Sequence, residues 1–135
     1  MSALDNPKAL FQSTCSTNSE PYALQNIGDM MSPEFSENCI IIVDPGMPIH
    51  NEAYVIIDFN DELYFRQYII KNNKHLLRCI NSSYGDIQLN NDFEVRGCIT
   101  QQKQRKQKSL HYYLLDKESG EMKFSKKGKE KEIPS

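Results

Sequence analysis

Short runs of β-branched, aromatic and other apolar residues, cut apart by turn-forming pairs, decide the fold class of this chain. Cys39-Ile-Ile-Ile-Val43 closes on Asp44-Pro45-Gly46, Ala53 to Phe59 closes on Asn60-Asp61, and Leu63 to Ile70 is followed by Asn72-Asn73. Runs of this composition suit pleated strands, and proline with glycine favours a turn after the first. Asn72-Asn73 can take the left-handed conformations of a tight hairpin, which predicts that His75 to Ile80 returns antiparallel to the strand before it. Two further strands, Asp86 to Leu89 and Phe93 to Thr100, complete a mainly β body that starts near Tyr22.

The flanks read differently. Residues 1–20 are rich in Asn, Ser, Thr and Pro and poor in large apolar side chains, so they are expected as a flexible arm with at most one helical turn near Ala9 to Gln12. That arm is too short for a helix-turn-helix head, which needs about three helices to form its own core. Beyond Thr100, Gln101 to Lys108 reads as a solvated basic connector. Leu110 to Leu115 and Met122 to Phe124 read as a hairpin around Glu118-Ser119-Gly120, and Ser125 to Ser135 as a disordered tail. The expected division is an arm at 1–20, one domain at 21–100 and an extension at 101–135.

Charge follows the same division. The formal net charge of the 135 residues is -2, but residues 1–100 carry -7 and residues 101–135 carry +5. An acidic body does not suit nucleic-acid binding over the whole surface, which needs clustered cations. The extension admits two readings: a solubilising segment, or a phosphate-contacting patch of Lys103, Arg105, Lys106 and Lys108 with Tyr112 and Tyr113 nearby for stacking. The longest apolar run falls well short of the roughly 20 residues of a spanning helix, and residues 1–20 lack a signal-like apolar stretch. A cytoplasmic protein without membrane contact is expected. Cys15, Cys39, Cys79 and Cys98 form no C-x-x-C pair, and His50, His75 and His111 lack ligand spacing. Buried free thiols are the expectation for Cys39, Cys79 and Cys98, with no metal and no cofactor.

The stretch richest in information is Ile27-Gly-Asp-Met-Met-Ser-Pro-Glu-Phe35, followed by Ile40-Ile-Ile-Val-Asp-Pro45. It resembles the C-terminal domain of LexA-type repressors, the S24 peptidase group that includes UmuD and phage repressors. There a Gly-Asp-Ser-Met turn precedes a strand ending in Val-Asp. Further pieces follow in order: Ala53 to Ile57, Tyr64-Phe65-Arg66-Gln67, Leu76-Leu77 with Asn81-Ser82-Ser83-Tyr84, and Val95-Arg96-Gly97-Cys98-Ile99. The resemblance implies a LexA/signal-peptidase-like fold of several coiled antiparallel sheets.

It also implies a serine-lysine dyad, in which a lysine kept neutral by burial takes the proton of a serine hydroxyl. In the register of the turn the nucleophile's position is Met30, and in the register of the strand the base's position is Arg66. A thioether has no proton to lose, and a guanidinium stays charged. The Ala-Gly or Cys-Gly bond that such proteins cut is also missing from residues 1–26. A displaced dyad of Ser32 with Lys71 or Lys74 is the alternative that would keep peptidase activity. Otherwise Met30 is expected to pack into a disused cleft and Arg66 to pair with Asp29 or Glu34.

The expectation from these residues is a catalytically inactive domain protein with no catalytic residue, acting in transcription regulation. What the resemblance leaves is binding: a homodimer, or a partner such as a repressor, a RecA-like filament of the SOS response or, as for UmuD, a DNA polymerase. Edge strands offer the surface for pairing.

Overall fold

A computed structural model describes residues 20–90 and 92–130. The structure is all β, with nine strands among the described residues: β1 Tyr22–Gln25, β2 Ile40–Asp44, β3 Tyr54–Phe59, β4 Glu62–Lys71, β5 Lys74–Arg78, β6 Ile87–Gln88, β7 Phe93–Lys103, β8 Leu110–Leu115 and β9 Met122–Glu130. They form one curled antiparallel sheet in the order β1-β2-β7-β3-β4-β5-β6, with β8 and β9 added beside β7. The expected mainly β, LexA-like class is met.

The predicted turn at Asn60-Asp61 and the predicted tight hairpin at Asn72-Asn73 are both present. Asn60 and Asp61 take φ of 52° and 64°, and Asn72 and Asn73 take 52° and 62°, so each pair links its strands through a two-residue left-handed turn. Strand β7 organises the rest. Its first half pairs with β3, and its second half pairs with β2 on one side and β8 on the other. One long strand therefore joins the body to the C-terminal hairpin.

The core fills the curl. In β3 every side chain but Asp58 is buried, as expected of a strand covered on both faces. Phe35 sits at the centre with no exposed surface, its ring centroid 4.8 Å from Tyr54, 4.9 Å from Phe65 and 5.0 Å from Tyr112. Cys39, Cys79 and Cys98 are buried free thiols, as the sequence predicts, and burial pushes the Cys98 thiol up to about 11.

The extension is more ordered than its composition predicts. Gln101 to Lys103 continue β7 where a solvated connector is expected, and Gln102 has no exposed surface. Ser125 to Glu130 likewise belong to β9 where a disordered tail is expected. The cause is a polar network: the Gln102 amide donates to Glu34 O at 2.6 Å and to the Tyr112 hydroxyl at 2.6 Å, so a side chain typical of surfaces is satisfied inside. Tyr112 and Tyr113 are buried at 0% and 5% exposure, which removes them as stacking groups for nucleic acid. The arm at residues 1–19, Cys15, and the tail at 131–135 lie outside the described residues.

Candidate functional site

The turn singled out by the sequence is the tip of a closed loop. Asn26, 6% exposed, fastens its two ends: its backbone N–H donates to Cys39 O at 2.8 Å, its carbonyl accepts from Asn38 at 2.7 Å, and its side chain donates to Ser36 O at 2.8 Å. Phe35 and Met31 anchor the underside in the core. Gly28 stands at φ +94°, a conformation that side chains avoid, and a Cβ there would come within 3.1 Å of Met30 Cε. The glycine thus sets the backbone and leaves room for Met30 to fold back over it.

A second segment clamps the tip. The backbone N–H of Asn81 donates to Met30 O at 3.0 Å, and its side chain donates to Asp29 O at 3.1 Å. The Tyr84 hydroxyl adds a bond to Asp29 Oδ1 at 2.7 Å. The Asn-x-x-Tyr piece of the sequence pattern is therefore the device that positions the Gly-Asp-Met turn.

Strand β4 brings the partner. Val55↔Arg66 pairing with the buried β3 fixes the strand beside the loop, and Arg66 Nη2 reaches Met30 Sδ at 3.3 Å. Its Nη1 donates to Phe65 O at 2.8 Å and its guanidinium lies 5.2 Å from the centre of the Tyr64 ring. Its Nε is buried without a hydrogen-bond partner. The predicted ion pair with Asp29 or Glu34 does not form. Asp29 is held by Tyr84, while Glu34 Oε2 accepts from the Tyr112 hydroxyl at 2.7 Å and from the Gly128 N–H at 2.9 Å. Burial, reinforced by the Glu34 carboxylate, drives the Tyr112 hydroxyl far above its ordinary value.

Met30 and Arg66 both line a cleft of about 330 Å³. Leu24, Gln25 and Ile27 from and after β1 and Leu63, Tyr64 and Phe65 of β4 line it too, with Met31, Ile41 and Ile56 among the remaining lining residues. Among the described residues β1 pairs only with β2, and β5 pairs with β4 only from Gln67 onward, so β1 and the first half of β4 each keep an edge that no described strand covers. Leu24, Ile27 and Leu63 are exposed along it, at 38%, 67% and 42%.

The other candidates lie apart from this arrangement. Ser32 Oγ donates to Phe35 O at 3.4 Å, while Lys71 and Lys74 face each other, exposed, at the tip of the β4–β5 hairpin. Lys103 ends β7 and Arg105, Lys106 and Lys108 follow in the turn to β8; all four are exposed, and Lys108 Nζ lies 3.9 Å from Glu130 Oε1. No group of three or more His, Cys, Asp or Glu able to hold a metal occurs among the described residues, and no helix there is long and apolar enough to cross a membrane. Asn26 and the network of Glu34, Gln102, Tyr112 and Gly128 were not predicted. Only the polar residues flanking the motif, unremarkable by type, carry their trace in the sequence.

No curated protein matches the chain in a sequence search. A protein-family model does: Peptidase S24-like, over residues 2–100, which takes in the arm as well as the β body and stops short of the C-terminal hairpin. With 99 of the 135 residues matched, the chain belongs to the Peptidase S24-like family.

Proposed function

We propose that this chain is a catalytically silent member of its family, which keeps the turn and the cleft as a binding device and acts in gene regulation as a dimerising or partner-binding domain. The observation that carries the reading is the contact of Met30 with Arg66. Two residues 36 positions apart, each chosen from the sequence as the place of one half of a serine-lysine dyad, meet at 3.3 Å. That meeting supports the register in which they stand for nucleophile and base. A thioether forms no acyl intermediate and a guanidinium accepts no proton at working pH, so neither half of the reaction has its group. Since dyad members act as a unit, either replacement ends catalysis.

The displaced pair finds little support. Ser32 donates to a backbone carbonyl, and Lys71 and Lys74 stand at the exposed tip of the β4–β5 hairpin, not hydrogen-bonded to Ser32. The test compares the unaltered chain with the Met30→Ser/Arg66→Lys double variant on a peptide carrying an Ala-Gly bond, read by mass spectrometry. The unaltered chain is expected to leave the peptide whole and the double variant to cut it. Cleavage by the unaltered chain would overturn the reading.

A further inference from the structure

We infer that the cleft beside Met30 takes an extended apolar peptide bearing a carboxylate, and that Arg66 is the residue that holds the carboxylate. The inference rests on the binding role proposed above and names its ligand chemistry.

Arg66 is a partly buried cation that no anion among the described residues neutralises. A guanidinium offers five N–H donors in a planar fork that matches a carboxylate, whereas here its contacts are one carbonyl, one thioether sulfur and one aromatic face. Sulfur is a weak acceptor, and Nε has none. The two carboxylates expected to answer it are engaged elsewhere, Asp29 by Tyr84 and Glu34 by Tyr112 and Gly128. A buried donor left unpaired, as Nε is here, is costly, so an incoming carboxylate relieves a deficit that the fold leaves standing. Among the described residues Arg66 is also the only charged one lining the cleft. A ligand charge recognised there is therefore negative and is recognised at Arg66.

The rest of the cleft sets the ligand's shape. An extended chain can add through its backbone to the edge of β1 or of the first half of β4 that no described strand covers, with its side chains against Leu24, Ile27 and Leu63. The carboxylate is either the end of the peptide chain or an Asp or Glu side chain within it.

Three probes separate these cases on the full chain: a labelled pentapeptide Ac-Leu-Val-Ala-Leu-Ala as the free acid, the same peptide as its C-terminal amide, and Ac-Leu-Val-Asp-Leu-Ala as the amide. Fluorescence anisotropy is expected to show the free acid, the Asp peptide or both binding about tenfold tighter than the uncharged amide, the size of a charge-assisted hydrogen bond. Preference for the free acid alone assigns a chain end, and preference for the Asp peptide assigns a side chain. Arg66→Gln is expected to abolish the preference, and a preference that survives it places the carboxylate elsewhere and overturns the inference. The comparison on the unaltered chain needs no variant. Equal binding of all three peptides there overturns the carboxylate assignment and leaves the cleft as a binding site, whereas no binding of any overturns both.

Discussion

Met30 Sδ and Arg66 Nη2 lie 3.3 Å apart, although the loop that carries the one and the strand that carries the other share no turn. The contact needs two independent supports: Asn81, which grips the backbone on both sides of Met30, and β3, whose pairing with β4 sets the height of Arg66.

The Asn81 clamp is testable by stability. Asn81→Ala removes the bond to Asp29 O and the one its Oδ1 accepts from Ser83 N–H, and is expected to cost about 1–2 kcal/mol in urea unfolding. Tyr84→Phe removes a single bond at an exposed site and is expected to cost less than Asn81→Ala in the same measurement. In the Met30→Ser/Arg66→Lys background, Asn81→Ala is also expected to slow peptide cleavage, because the turn it holds carries the restored nucleophile.

The C-terminal hairpin is tied to the same loop through Glu34. A double-mutant cycle of Glu34→Gln and Tyr112→Phe is expected to give a coupling of about 1–3 kcal/mol, since a buried hydroxyl donates to a carboxylate there. Gly128→Ala places a Cβ 2.8 Å from Leu110 Cβ and 2.9 Å from the Tyr112 hydroxyl, too close for either to be avoided by a small shift. Thermal unfolding is expected to show it destabilised by about 1–3 kcal/mol.

Alkaline pH is expected to unfold the chain in a defined window. Burial raises the Cys98 thiol from 9.0 to about 11, and raises Tyr54, Tyr112 and Tyr113 further still. Each is an acid whose folded value lies above its unfolded one, so the folded chain keeps protons that the unfolded chain releases. The stabilisation is complete below the ordinary thiol and phenol values and is lost as pH rises through the folded ones. Cys98 alone contributes on the order of 2–3 kcal/mol. Phenolate absorbance of the three buried tyrosines is expected to appear together with loss of β-sheet circular dichroism, and a gradual rise on an intact fold would contradict the burial.

Much of the body was legible because its signals are local. Asn60-Asp61 and Asn72-Asn73 announce their turns through residues that tolerate positive φ, and the apolar runs between them announce strands. The spacing of the motif pieces further indicated that Met30 and Arg66 belong to one site. The second part of β9, from Ser125, and the end of β7 were hidden because glutamine, lysine and glycine have no strand signature, and because Gln102 is buried by a network with partners 68 and 10 positions away. The same non-locality hid the fate of Glu34: it is near Met30 in sequence and was expected to answer Arg66, but Tyr112 and Gly128 reach it first.

The most direct measurement is the intact mass of the unaltered chain during incubation at mildly alkaline pH, below the ionisation of Cys98, where self-cleavage is sought. A single undiminished mass, equal to that of an unincubated sample, is the predicted result. A fragment that accumulates with time, and that disappears in a Ser32→Ala variant, would contradict the silent site and identify the nucleophile.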